Sequence, residues 1–239
     1  MTDIKRFATS GAAGSGAMLY KPSFAGKFAV PWFEPRYWMA RGAVVGEALG
    51  RGTTYVVQEG ERRLVLRHYR RGGLIARLSP DRYIWRGEAA TRPVRELLLT
   101  DRMYEAGLPV PAPVAARYQR EGLWYRADIV TQFIPDTQSL AQRLTAGSVS
   151  LESWAAVGRC IRRFHDFGIC HADLNAHNIL LRADEQVYVI DFDRGRLRAP
   201  GLWRDGNLVR LRRSLEKIHD SLAQPFDEIP WQCLLAAYG

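Results

Sequence analysis

Short β-rich hydrophobic runs, separated by glycines and polar turns, dominate the chain up to about residue 133. This pattern is typical of antiparallel strands. Strands are predicted over residues 44–49, 53–57, 64–69, 114–119 and 123–133. A helix is predicted over 93–106, because Pro93 suits a first helical turn and Gly107 ends the pattern. Together these elements predict an antiparallel five-stranded sheet with one helix.

The second part of the chain changes to hydrophobic residues at helical spacing. The clearest segment has Ser150 as a candidate N-cap and then Leu151, Trp154, Val157, Ile161 and Phe164. The predicted fold class is therefore α+β and bilobal, with a smaller, mainly helical second lobe and a hinge at 131–136. The predicted boundaries are an N-terminal arm over 1–40, a strand-rich lobe over 41–134 and a helical lobe over 135–239.

The first forty residues combine prolines with aromatic and basic side chains. This mixture is too proline-rich for a helix and too aromatic for a disordered linker. Two interpretations stay open for this arm. It packs on the protein's own core, or it lies at the headgroups of a membrane.

Composition and charge narrow the classes of function. The chain has 239 residues, 47% of them hydrophobic, which suits one catalytic unit with a real core. Three cysteines without metal-ligand spacing imply neither a disulfide framework nor a zinc site. A net charge of +9, mostly from arginine, predicts an anionic partner such as a phosphorylated ligand or acidic lipid. No nucleic-acid-binding module is recognised, so nucleic acid is not an expected partner.

The strongest chemical signal is H-A-D-L-N-A-H-N over 171–178, followed by an apolar run and then V-Y-V-I-D-F-D over 187–193. This order resembles the catalytic loop and metal-binding element of the protein-kinase superfamily. An acceptor hydroxyl needs a carboxylate to take its proton, and Asp173 is the predicted catalytic base. His171 is the second predicted catalytic residue, and we expect it to brace the loop through backbone hydrogen bonds.

The same resemblance implies ATP and Mg²⁺ as cofactors. Mg²⁺ prefers hard oxygen ligands, and the predicted metal ligands are Asn178, Asp191 and Asp193. For the nucleotide, Gly50 and Gly52 lie between two predicted strands, where backbone amides would cover phosphates. The remaining predicted nucleotide-binding residues are Arg67, Glu96, Gln132 and Ile134. Arg67 stands where the superfamily has a phosphate-binding lysine, and Glu96 is its expected ion-pair partner.

Only 46 residues follow Asp193, too few for the activation segment and further helices of a protein kinase. Five segments resemble the Kdo (3-deoxy-D-manno-octulosonic acid) and heptose kinases of the lipopolysaccharide core. They are L-R-H-Y-R-R-G-G over 66–73, P-V-R-E over 93–96, G-L-P-V-P over 107–111, the loop over 171–178 and N-L-V-R-L-R-R-S-L over 207–215.

That resemblance implies ATP- and Mg²⁺-dependent transfer to the 4-hydroxyl of Kdo on lipid A. It implies a peripheral enzyme at the cytoplasmic face of the bacterial inner membrane, and we expect a monomer. Three alternatives stay open: a heptose acceptor, an aminoglycoside-like small molecule and a non-catalytic binding module. The net positive charge disfavours a cationic aminoglycoside. The presence of every base and metal position disfavours the non-catalytic module.

Overall fold

The computed structural model describes residues 3–11, 14–24, 29–48, 54–71 and 81–239. The chain forms two compact units, and each unit consists of two separate stretches of the sequence. One unit comprises Met1–Arg102 and Ala112–Phe133, and the other comprises Met103–Pro111 and Ile134–Gly239.

The first unit is built on one antiparallel sheet. Within the described ranges this sheet has eight strands, β1 (Lys5–Gly11), β2 (Gly14–Tyr20), β3 (Val44–Ala48), β4 (Thr54–Glu59), β5 (Arg62–His68), β6 (Tyr83–Ile84), β7 (Pro113–Glu121) and β8 (Trp124–Gln132). The order is β1-β2-β7-β8-β5-β4-β3, and β6 pairs with β8. The described residues of this unit also form the short α-helix α1 (Pro35–Met39), the first turns of the α-helix α2 (Arg92–Glu105) and short 3-10 turns.

All five predicted strands and the predicted helix are present, but the prediction of a five-stranded sheet is wrong. The sheet gains the hairpin of β1 and β2 and the short β6. The β2 strand is rich in glycine, serine and alanine, so its hydrophobic pattern is weak. It pairs with β7, where Met18 faces Arg117, and its residues 17–19 are buried. Pairing with a distant strand, rather than local pattern, therefore places this segment in the sheet.

The two faces of the sheet pack against different segments, as the alternation of side chains along a strand requires. On one face, Val94 and Leu97 of α2 share a hydrophobic cluster with residues of β2, β7 and β8. On the other face, Trp32 and Trp38 pack against β4, β5 and β8. Trp38 is fully buried, and its Nε1 donates a hydrogen bond of 2.8 Å to the carbonyl of Trp32. Part of the N-terminal arm thus packs on the protein's own core.

The second unit is mainly helical. Its elements are β9 (Thr137–Ser139), α3 (Leu140–Thr145), α4 (Leu151–Asp166), β10 (Ile169–Cys170), β11 (Ile179–Arg182), β12 (Val187–Val189), β13 (Arg196–Leu197), α5 (Trp203–Ser221) and α6 (Glu228–Tyr238). The strands form a sheet ordered β12-β11-β9 and the pair β10-β13. The predicted N-cap of α4 is confirmed, since Ser150 Oγ accepts a 3.0 Å hydrogen bond from the N–H of Ser153. Among the described helices, none combines the length and apolarity needed to cross a membrane.

Helices α4 and α6 approach each other closely at Gly158. A Cβ atom at this position would lie 2.2 Å from the carbonyl oxygen of Leu234. Trp154 and Ile161 of α4 and Trp231 of α6 are buried. The glycine therefore allows the two helix backbones to meet, and α6 closes the core of the second unit.

Candidate active site

The loop over 171–178 connects β10 to β11 and presents Asp173 to solvent. Leu174 and Ala176 are buried, whereas the Asp173 side chain is 62% exposed. The backbone carbonyl of Asp173 accepts hydrogen bonds from Nδ2 of Asn175, at 2.9 Å, and from Nδ2 of Asn178, at 3.0 Å. The two apolar anchors and the two amides hold the loop backbone, so the carboxylate of Asp173 projects from a well-supported position.

His171 is the internal brace of this loop. Its Nε2 lies 3.0 Å from the carbonyl oxygen of Ile190, which can only accept, so Nε2 carries the proton. Its Nδ1 accepts a 3.2 Å hydrogen bond from the N–H of Asp173. Burial lowers the pKa of His171, which keeps the ring neutral. The expected bracing bonds are present, and they engage both ring nitrogens of His171.

Asn207 on α5 was not assigned a role from the sequence, although it holds the catalytic loop. Its Oδ1 accepts a 3.1 Å hydrogen bond from the N–H of His171, and its Nδ2 donates a 3.0 Å bond to the carbonyl of the same residue. Asn207 is only 4% exposed. The available signal was an asparagine that opens the Arg- and Leu-rich segment 207–215, which carried the family resemblance.

A second contact ties α5 to the loop. Ser214 Oγ accepts a 3.1 Å hydrogen bond from the N–H of Ala176. Asn207 and Ser214 are two helical turns apart and therefore lie on the same face of α5. The loop is thus bound to one helix face at its beginning and near its end.

The predicted metal ligands Asn178 and Asp191 are joined to this loop through backbone hydrogen bonds. Asn178 donates through Nδ2 to Asp173, which leaves its Oδ1 as a candidate oxygen ligand. Its carbonyl accepts a 3.0 Å bond from the N–H of Ile190, the residue before Asp191. Asp191 has φ of 66°, a left-handed conformation that non-glycine residues rarely adopt and that recurs at functional sites.

The donor set fits Mg²⁺. Carboxylate and amide oxygens are the ligands this ion prefers, with few from the protein and the rest from substrate phosphates and water. The described ranges contain no group of three or more His, Cys, Asp or Glu side chains that could hold a metal. Asp193 follows Phe192 in a turn closed by a 2.8 Å bond from the N–H of Gly195 to the carbonyl of Phe192. Phe192 is buried against His171 and Phe164.

In the first unit, the expected ion pair between Arg67 and Glu96 is present. Nη2 of Arg67 on β5 contacts Oε1 of Glu96 on α2. The other carboxylate oxygen of Glu96 accepts a hydrogen bond from the hydroxyl of Tyr69, and the guanidinium of Arg67 lies 4.9 Å from the centroid of the Tyr69 ring. Glu96 is 5% exposed and Arg67 is 25% exposed. The guanidinium is therefore held in one orientation with part of its surface accessible.

For the other predicted nucleotide-binding residues, the structure gives only backbone contacts or no description. Gly50 and Gly52 lie outside the described residues. Gln132 ends β8, and its N–H donates a 2.9 Å hydrogen bond to the carbonyl of Ala112. Ile134 begins a segment of the second unit, and its carbonyl accepts a 3.0 Å bond from the hydroxyl of Thr137.

A supported aspartate, joined through the same loop to an asparagine and a second aspartate on a mixed α/β chain with antiparallel sheets, fits a phosphotransferase that acts on a hydroxyl group. The mixed architecture is compatible with a kinase-like fold. Residues 35–238 match the model of the lipopolysaccharide kinase (Kdo/WaaP) family. The chain belongs to that family.

Relatives from several bacteria carry one name, 3-deoxy-D-manno-octulosonic acid kinase. The protein so named in Haemophilus influenzae (strain 86-028NP) is 44% identical over 218 residues, which cover 88% of this chain and 90% of the relative. The Stenotrophomonas maltophilia (strain K279a) protein is 46% identical over 207 residues, covering 86% of this chain and 82% of the relative. The Vibrio cholerae protein is 43% identical over 183 residues, covering 77% and 78%. The chain is thus similar to these proteins over most of its length.

Proposed function

We propose that this protein transfers the γ-phosphoryl group of ATP to the 4-hydroxyl of Kdo carried on lipid A, in lipopolysaccharide core biosynthesis. The observation that carries the chemistry is the loop in which His171 and Asn178 hold the backbone of Asp173 while its carboxylate stays exposed. The acceptor is inferred from relatives named 3-deoxy-D-manno-octulosonic acid kinase.

In the proposed reaction, the carboxylate of Asp173 accepts the proton of the acceptor hydroxyl as its oxygen attacks the γ-phosphorus. The bond between the γ-phosphorus and the bridging oxygen of ADP breaks, and the products are ADP and the 4-phosphate of Kdo. The proton then passes from Asp173 to water. Because the loop backbone is already hydrogen-bonded, little reorganisation of this carboxylate is needed.

Asn178 and Asp191 would hold Mg²⁺ through Oδ1 and a carboxylate oxygen, and Asp193 adds a second carboxylate nearby. When bound, the ion neutralises phosphate charge and orients the phosphoryl group. The hydrogen bond from Nδ2 of Asn178 to the Asp173 carbonyl favours this use of the amide oxygen.

The residues proposed to serve in binding the donor nucleotide are Arg67, Glu96, Gly50, Gly52, Gln132 and Ile134. Glu96 and Tyr69 orient Arg67, whose guanidinium contacts the α- and β-phosphates in place of the lysine of the superfamily. Gly50 and Gly52 are proposed to cover the phosphates. Since the N–H of Gln132 and the carbonyl of Ile134 already have partners, the carbonyl of Gln132 and the N–H of Ile134 are the backbone groups proposed to contact the nucleotide.

The enzyme is further proposed to act as a monomer bound peripherally at the cytoplasmic face of the inner membrane. The acyl chains of the acceptor remain in the bilayer, so the enzyme must reach its surface. The segment 194–213 supports this, because exposed apolar side chains such as Leu197, Leu202 and Val209 are interspersed with arginines. Leu202 is 87% exposed. Sedimentation with vesicles that contain anionic lipid, and its loss at high salt, tests this part of the proposal.

The reaction is tested by incubating the purified protein with Mg²⁺, γ-labelled ATP and Kdo-lipid A, and by locating phosphate in the product. Label at the 4-position of Kdo supports the proposal. Asp173→Asn should lower transfer by about 10³-fold while ATP binding is retained, and Asp220→Asn, an exposed change on α5, serves as the matched control. Labelling of a heptosylated acceptor but not of Kdo-lipid A would instead identify a heptose kinase.

A further inference from the structure

An arginine stands beside the proposed catalytic base. Nη1 of Arg210 on α5 lies 3.9 Å from Oδ1 of Asp173, and the two side chains are 54% and 62% exposed. Within the described part of the chain, this is the one ion pair of either side chain. The distance exceeds that of a hydrogen bond, and exposed pairs contribute only about 0–1 kcal/mol to stability. The pair therefore contributes little to the stability of the fold.

The backbone of Arg210 is nevertheless held in place by its neighbours on α5. It lies one turn after Asn207 and about one turn before Ser214, the two residues through which α5 is hydrogen-bonded to the catalytic loop. Residues at this spacing share a helix face, so the backbone of Arg210 is held on the side of α5 that meets the loop. A guanidinium carries five N–H donors in a planar fork that matches a carboxylate. The carboxylate of Asp173 on the loop and the guanidinium of Arg210 on α5 thus lie side by side.

The proposed acceptor has a matching pair of groups. Kdo is a 3-deoxy acid, so one methylene separates the carbon that bears its carboxylate from the carbon that bears the 4-hydroxyl. When that hydroxyl is hydrogen-bonded to Asp173, the carboxylate falls within reach of a side chain next to Asp173. We infer that Arg210 binds the acceptor's carboxylate and so selects an acidic sugar at the catalytic loop. This inference rests on the proposed function and adds a specificity-determining residue to it.

The test combines a change in the enzyme with a matched change in the acceptor. Wild type, Arg210→Ala and Arg210→Lys are assayed with Kdo-lipid A and with its analogue in which the Kdo carboxylate is converted to a neutral methyl amide. Lys217→Ala, an exposed basic residue two turns further along α5, is the control. Thermal unfolding and ATP binding are measured for every variant, so that a folding defect is recognised.

Loss of a charge-assisted hydrogen-bond pair corresponds to about 10- to 100-fold in binding. Arg210→Ala should therefore lower kcat/KM for Kdo-lipid A by about that factor, chiefly through the KM for the acceptor, with the KM for ATP unchanged. On the neutral analogue, wild type should be similarly impaired and Arg210→Ala should cause little further loss. Arg210→Lys should keep part of the selectivity, because it retains the charge without the fork.

Two results would overturn the inference while leaving the proposed function intact. Equal losses on the acidic and neutral acceptors would show that Arg210 does not contact the carboxylate. A rise in the KM for ATP, with the acceptor KM unchanged, would assign Arg210 to the donor phosphates. If wild type transfers no phosphate to Kdo-lipid A at all, the proposed function itself fails and the inference fails with it.

Discussion

Asn207 on α5 binds both the N–H and the carbonyl of His171, 36 positions earlier in the chain. A single buried side chain therefore satisfies both backbone groups of the residue that braces the catalytic loop. Because the donor and acceptor ends of the amide are used separately, neither an apolar residue nor a carboxylate reproduces the pair.

Replacing Asn207 tests whether this attachment supports catalysis. Asn207→Ala leaves two buried backbone groups of His171 unpaired, at a cost of about 2 to 3 kcal/mol in the free energy of unfolding. We expect kcat to fall by more than about 10-fold because Asp173 loses its fixed position, with little change in the KM for ATP. Urea unfolding and steady-state kinetics measure the two effects. An unchanged kcat in a destabilised variant would limit Asn207 to a stabilising role.

The pair between Arg67 and Glu96 predicts an effect on the binding of ATP, the phosphate donor. Arg67→Ala should raise the KM for ATP by about 10-fold or more, since a charged contact to phosphate is lost. Glu96→Gln should weaken ATP binding less, because the amide still contacts Arg67 but no longer carries charge. Glu61→Gln, in the exposed turn between β4 and β5, is the control. Isothermal titration with a non-hydrolysable ATP analogue measures whether Arg67→Ala loses more affinity than Glu96→Gln. Unaltered affinity in Arg67→Ala would remove this residue from the nucleotide site.

Histidine burial in the second unit predicts a loss of stability in mild acid. Burial lowers the pKa of His165 from 6.5 to about 4, and its ring contacts Tyr238 and Asn207 as the neutral form. The unfolded chain takes up a proton below about pH 6.5 and the folded chain does not, so stability is full above that value and falls as the pH drops towards 4. Burial shifts the pKa of His171 in the same direction.

Urea unfolding at about pH 7.5 and about pH 5 measures this dependence. The wild-type free energy of unfolding should fall by about 1 to 2 kcal/mol over this interval, and His165→Gln should reduce the fall. His68 acts in the opposite direction, because its hydrogen bond to Asp128 raises its pKa, and that contribution is lost as the pH rises. Identical pH profiles for wild type and His165→Gln would contradict the assignment to His165.

Two helical glycines provide a matched pair for packing. Gly158→Ala forces a Cβ to within 2.2 Å of the Leu234 carbonyl oxygen, so α4 and α6 must separate. We expect a loss of about 1 to 3 kcal/mol in the free energy of unfolding. Gly206→Ala on α5 meets nothing within 4 Å and should stabilise the protein by up to about 1 kcal/mol. Thermal or urea unfolding of both variants measures these changes. Equal changes in the free energy of unfolding would show that the close contact between the helices is not the reason for a glycine at position 158.

Much of the fold was predictable because its signals are local. The strands β3, β4, β5, β7 and β8 and the helix α2 follow hydrophobic runs bounded by turn residues, and each lies close to its predicted range. The hairpin of β1 and β2 was missed because β2 is rich in small residues and becomes ordered by pairing with β7. The short α1 was missed because the prolines around it obscure a helical pattern.

By itself the sequence determined the order of Asp173, Asn178 and Asp191 beside a strand, on which the proposed chemistry rests, because that order is set by covalent connection. Only the tertiary structure decided which distant groups support them. Asn207 binds His171 and Arg210 stands beside Asp173, whereas the pairing of Arg67 with Glu96 was already expected before the structure. The contact of Asn207 with His171 is selected by burial and by the need to satisfy backbone polar groups in the folded chain, and no local periodicity encodes that selection.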